Sequence, residues 1–299
     1  MNHRRRPGLR GLLALGVVLV LVAGCAGGRE GTALPDGDEA ARYVSEKFST
    51  ALERLTNDIS DNEPRHSTLR SYTRVDDKKS DNTITSIQVG SPPARLWKNH
   101  SNRDSGDYRD YYHPAGSDVE YTRLGPRYAS LARTEWVSMP YQQTSSDICY
   151  WGGYLTVCRM LHTVTRSLDD RDAAKQARSL KDGSVELTAE VTLDEFLNQR
   201  VVILPDWVRA KITPAMLEGI IDTTIRLDPD GKLTEIRMKG LVKADGHEFE
   251  VDNHYRLEET PTEDDLPKVP EPRDVTALTT DAQIDDFYRR MGEITSAEN

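Results

Sequence analysis

Three stretches in the second half of the chain alternate apolar and other residues with a period of two. Ile221, Thr223, Ile225 and Leu227 fall on one side of the first; Ile236, Met238, Gly240 and Val242 on one side of the second; Phe249, Val251, Asn253 and Tyr255 on one side of the third. Asp228-Pro229-Asp230-Gly231 and Ala244-Asp245-Gly246 separate them, and both are turn sequences. Period-two runs joined by short turns predict long antiparallel strands with one face toward a core.

Earlier segments read as shorter strands, rich in Thr, Tyr, Val and Ile: Ser67–Val75, Thr83–Val89, Arg109–Tyr112, Val119–Arg123, Tyr128–Ala132 and Glu135–Met139. Their connections are too short for crossover helices, which predicts a meander. Residues 98–106 read as a long polar stretch. Ala173–Ser179 and Ser184–Val191 add two more strands around an Asp182-Gly183 turn.

Helical periodicity appears in fewer places. Ala41, Val44, Phe48, Leu52 and Leu55 recur at three- and four-residue spacing after a capping Asp38. A second helix is expected over Tyr154–Ser167, carrying Leu155, Cys158, Leu161, His162 and Val164. Thr192 opens a brief helix at Leu193–Leu197, and Pro214–Gly219 reads as a helical turn. After Thr260 the chain is Pro-rich and acidic through Pro272, then ends in a short apolar-faced helix, Asp281–Met291. That pattern is compatible with a tail docked on the domain and with a loose one.

The N-terminus changes the picture from a soluble domain to an exported one. Arg4, Arg5, Arg6 and Arg10 precede an apolar run, Leu12–Val22, which ends in Val22-Ala23-Gly24-Cys25. A basic start, a short apolar run and small residues at a cut mark an export signal, and the run is about half the roughly 20 residues a membrane span needs. The final four residues resemble the lipobox of bacterial prolipoproteins. The resemblance implies diacylation of Cys25 and cleavage before it, leaving the chain on the extracytoplasmic face of the cell membrane. The expected organisation is a signal peptide at 1–24, a lipidated small-residue tether at 25–37, one domain at 38–260 and an acidic tail at 261–299.

The formal net charge is -10. Loss of residues 1–24 removes four arginines and no acid, taking it to -14. This balance excludes nucleic acid as the main partner and assigns attachment to the lipid rather than to an anionic bilayer surface. With Cys25 set aside, Cys149 and Cys158 remain; in an exported chain an even pair reads as a disulfide, the alternative being two buried thiols.

No Gly-x-Ser-x-Gly elbow and no His-Glu-x-x-His spacing occurs, and the histidines are scattered. Asp228-Pro229-Asp230-Gly231 lacks the glutamate of a calcium loop, since position 237 is Arg. An enzyme, a metal site and a cofactor are therefore not expected.

An amphipathic first helix, a meander, a helix inserted in mid-sheet and closing long strands, behind a lipobox, together resemble the LolA/LolB and LppX/LprAFG superfamily of lipoproteins. That resemblance implies an α+β fold: a strongly curved antiparallel sheet, a half-barrel whose concave face is covered by helices over an apolar, lipid-holding cavity. On that reading Ile225, Ile236, Met238, Phe249, Val251 and Tyr255 line the inner wall; ordinary core packing is the competing reading. The function expected is binding of a lipid or other amphiphile, with carriage across the envelope. The alternative is a closed-core envelope protein that acts through a protein partner.

Overall fold

The computed structural model describes residues 63–141, 148–168 and 175–296, with Arg42, Glu46 and Thr50 as isolated helical positions. All belong to one compact unit, Asp36–Asn299. The export signal, Cys25, the tether and the apolar face of the first expected helix lie outside the described residues. Arg42, Glu46 and Thr50 are helical and exposed, as the polar side of that helix should be.

Among the described residues twelve strands form a single sheet: β1 (Arg65–Val75), β2 (Lys78–Val89), β3 (Ala94–Ser101), β4 (Tyr108–His113), β5 (Val119–Leu124), β6 (Trp136–Pro140), β7 (Lys175–Ser179), β8 (Val185–Thr192), β9 (Ile220–Leu227), β10 (Leu233–Ala244), β11 (His247–Leu257) and β12 (Val275–Ala277). Their order is β12-β6-β5-β4-β3-β2-β1-β11-β10-β9-β8-β7. Every pairing is antiparallel except β12 with β6, and the two ends do not pair with each other. The expected class therefore holds: α+β, with a large open antiparallel sheet whose inner face carries the helices.

The long pairing of β1 with β11 joins the two meanders. The helices are α1 (Leu155–Leu168), α2 (Leu193–Asn198), α3 (Asp206–Arg209), α4 (Pro214–Leu217) and α5 (Asp281–Ser296). Val157, Cys158, Met160, Leu161 and Val164 of α1 pack in the main core with the inner face of β8 to β11. Their spacing puts them on one side of a helix, while His162 is exposed and belongs to neither core nor site. Thr192 caps α2 by accepting from the Glu195 backbone N–H at 3.2 Å. The Cys149–Cys158 disulfide is formed, with Cα atoms 5.7 Å apart, and ties α1 to the loop before it. That loop lies close on the sheet: a Cβ at Gly152 would sit 2.7 Å from the Trp97 ring.

Two sequence expectations are corrected. Tyr128–Ala132 is not a strand; Pro126–Leu131 forms a 3-10 helix, which buries Tyr128 and Leu131, three residues apart, on one side. The stretch read as polar from Lys98 begins inside β3, whose strand character is masked because polar side chains fall on both of its faces.

The tail is docked. Leu266 covers a small apolar cluster on the outer face formed by Ile87, Val89, Ala94, Leu96 and Tyr112. β12 then extends the sheet edge beside β6, and α5 seats Phe287 and Met291 against Leu124, Val137 and Met139 on the inner face. Elsewhere the outer face is a lattice of cross-strand ion pairs, such as Arg237 with Asp252 at 2.7 Å and Arg70 with Asp81 at 2.9 Å.

Candidate functional site

The candidate site is the inner face itself, and its chemistry changes along the sheet. On β9, β10 and β11 the side chains that alternate inward are Ile225, Ile236, Met238, Phe249, Val251 and Tyr255, each 0% exposed. Register places Ile225, Ile236 and Tyr255 in one row, with Leu69 of β1 continuing it. The structure thus brings the six expected residues together in one core. Phe196 of α2 meets Phe249 edge-on at 6.2 Å between ring centres, and Tyr154 meets Tyr255 at 6.3 Å.

Set into this apolar wall are polar groups for which the protein supplies incomplete hydrogen bonding. Asn253 is 0% exposed and Thr223 2%. Both flank Met238 in register, so they share one row roughly 10 Å apart, two strand spacings. Asn253 accepts from the Ser71 hydroxyl through Oδ1 at 3.1 Å. Among the described residues its Nδ2 and Thr223 Oγ1 have no hydrogen-bond partner, while the Tyr255 hydroxyl lies among Arg65, Ser67 and Tyr154. A buried polar group left unpaired costs about 1–3 kcal/mol. Burial also raises the Tyr255 hydroxyl above its ordinary pKa, which keeps it a neutral donor.

Toward β2, β3 and β4 the same face turns aromatic and polar. Trp97 stacks on Tyr111 with ring centres 4.1 Å apart. At the rim, Arg95 donates to Gln88 at 3.0 Å and lies 5.6 Å over the Trp151 ring, and His113 stacks on Tyr141 at 3.6 Å. Burial lowers the His113 pKa and holds the imidazole neutral. Under α5 the face holds Glu120, which burial pushes up to about 7. It also holds Thr122 and Arg109, whose Oγ1 and Nε have no hydrogen-bond partner among the described residues.

The inner-face polar residues were not singled out as site residues in the sequence. The alternation did place Thr223 and Asn253 at inward positions, and a polar residue at an inward position of an otherwise apolar alternation was the available signal. Arg109, Glu120 and Thr122 carried no such signal, because their cover is a helix more than 150 residues later in the chain.

No grouping of three or more His, Cys, Asp or Glu side chains suited to a metal ion occurs among the described residues. No helix among them is long and apolar enough to cross a membrane. His–carboxylate pairs of the kind a catalytic site could use lie on the outer face, His254 with Glu235 and His100 with Asp110, each at 2.6 Å. The neighbouring Ser101 hydroxyl is engaged by the backbone N–H groups of Arg103 and Asp104, both at 3.3 Å.

No family model matches the chain, and no curated protein matches it in sequence. Among solved structures, it is similar to the Mycobacterium tuberculosis lipoprotein LppX at 11% identity and a TM-score of 0.28, over 71% of this chain and 93% of that one. A putative outer membrane lipoprotein-sorting protein domain from Vibrio parahaemolyticus matches at 11% identity and a TM-score of 0.24, over 73% and 96%. The Pseudomonas aeruginosa MucA/MucB complex matches at 13% identity and 0.29, over 76% of this chain and 61% of that one. At such identity and TM-score these likenesses speak to neither ligand nor partner.

Proposed function

We propose that this chain is a non-enzymatic envelope lipoprotein, anchored through Cys25, that takes an amphiphile between its sheet and the helices over the inner face. The observation that carries this reading is the pair of unpaired buried groups, Thr223 Oγ1 and Asn253 Nδ2, within an apolar wall. An acyl chain suits that wall, at about 25 cal/mol per Å² of apolar surface removed from water. Ester or phosphate oxygens suit the unpaired donors. The six wall residues are uncharged, with the buried Arg65 guanidinium beside Tyr255 at their edge, so the ligand would be held mainly by apolar burial and a few directed hydrogen bonds.

A second reading rests on a different observation. All six wall residues are 0% exposed, packed by the protein itself, as in a closed core. On that reading the chain acts through an outer surface and a protein partner.

Native mass spectrometry with lipid extraction, applied to the full chain and to Thr223→Val, separates the two. Thr223→Val is nearly isosteric and removes only the unpaired hydroxyl. Under the first reading the full chain carries a bound amphiphile and the variant retains several-fold less of it. Under the second, neither carries one and the variant is at least as stable, because an unpaired buried group has been replaced by a methyl.

A further inference from the structure

The net charge of the chain hides one face of the opposite character. After α2 the chain runs through Arg200-Val201-Val202-Ile203-Leu204-Pro205 into α3, Asp206-Trp207-Val208-Arg209. Val201 and Val208 are 4% and 6% exposed, so the segment is rooted in the core at two points. Between and beside those roots, Ile203 is 64% exposed and Trp207 41%. These two are held outward by a fixed support.

The charged groups around them are Arg159, Arg200, Arg209, Lys78, Lys211 and Asp206. Lys211 is committed to Asp76 at 3.2 Å and Asp77 at 3.6 Å. Lys78 lies 5.6 Å from the Trp207 ring centre. Arg159 donates to the Arg200 carbonyl at 3.0 Å, bringing a second guanidinium against Arg200, and burial with that like charge lowers the Arg159 pKa. Among the described residues the Arg159, Arg200 and Arg209 guanidinium groups form no ion pair with a carboxylate. On the sheet's outer face, by contrast, Arg70, Arg74, Arg226 and Arg237 each pair with a carboxylate. Arg200 and Arg209 also line a cleft of about 360 Å³ with Ile203, Leu204 and Asp206.

We propose that this segment is an interfacial docking element: Ile203 and Trp207 enter the headgroup layer of a bilayer, and Arg200 and Arg209 engage anionic lipid headgroups at the cleft. Trp favours the level where apolar chains meet headgroups, and a short apolar projection ringed by arginines binds by apolar burial plus attraction to anionic lipid. An anionic bilayer supplies both the counter-charge for the guanidinium groups and the apolar layer for Ile203 and Trp207. The inference does not depend on whether the interior holds a ligand. It makes the membrane a second contact, separate from the N-terminal anchor, and fixes which end of the sheet faces it.

The test uses the full chain, held on vesicles by its own N-terminal segment, in phosphatidylcholine alone or mixed with phosphatidylglycerol. Bromine-labelled acyl chains quench tryptophans that reach the bilayer, and Trp207→Phe identifies the share that belongs to Trp207. Quenching of that share in mixed vesicles, much weaker in phosphatidylcholine alone, is the expected result. The charge-neutral pair Arg200→Gln/Arg209→Gln should lower the ratio of docked to undocked chain about 25-fold, at about fivefold per arginine near an anionic surface. All three side chains are exposed, and unchanged circular dichroism verifies that the fold persists. Equal quenching of the parent chain and Trp207→Phe overturns the proposal. So does quenching that the arginine pair does not alter, which would leave the anchor alone as the membrane contact.

Discussion

Replacing Glu120 by Gln tests the electrostatics of the sheet end that α5 covers. Glu120 lies on the inner side of β5, opposite Met139, whose sulfur accepts the Tyr288 hydroxyl at 3.3 Å. Arg109, on the same face, pairs with Leu124, four residues along β5, and its Nη1 points to the Met291 sulfur at 3.4 Å rather than to Glu120. No hydrogen bond or ion pair stabilises the carboxylate among the described residues, and burial raises its pKa from 4.5 to about 7. The unfolded chain therefore releases this proton near 4.5 while the folded chain keeps it until about pH 7. Between those values the folded state binds more protons, so this group removes stability as pH rises, and the loss is complete above pH 7. At 1.36 kcal/mol per pKa unit, reduced for partial solvent access, the loss is roughly 2–3 kcal/mol. Gln is neutral at every pH, so the two proteins should be about equally stable near pH 4.5, and Glu120→Gln more stable by roughly 2–3 kcal/mol at pH 8. Urea titrations of both proteins across that range measure the difference, in which the other carboxylates cancel. A difference that stays flat from pH 4.5 to 8 would refute the reasoning.

Further outcomes follow from packing. Cys149→Ser/Cys158→Ser opens a short loop and should lower stability by about 2.5 kcal/mol by the chain-entropy relation, read as a shift in urea midpoint. Phe287→Ala, at a side chain 3% exposed under α5, should cost about 3–5 kcal/mol and make the tail the first segment cut in limited proteolysis. A Cβ at Gly240 would lie 2.5 Å from the Ile221 terminal carbon and 3.0 Å from the Ile220 carbonyl, so Gly240→Ala should cost roughly 1–3 kcal/mol by thermal melting.

Most of the strands, and which of their residues turn inward, were legible in the sequence, because a period of two is a local property of the chain. Ile225, Ile236, Met238, Phe249, Val251 and Tyr255 could be assigned to one face from alternation and turns alone. The disulfide followed from cysteine number and export, and α1 from its spacing. Strand β3 and the 3-10 helix at Pro126 were not legible. In β3, Arg95, Lys98 and His100 break the alternation: Arg95 is buried on the inner face, while Lys98 and His100 face outward. Only the tertiary structure decided that the tail wraps the sheet edge and seats α5 on the inner face, since three residues of β12 carry no signal apart from their partner β6. It also decided that Thr223 and Asn253 sit in one row across Met238, and that Arg159 joins Arg200 from about 40 residues away. Local sequence determines which way a side chain points; pairing between distant segments determines what it meets.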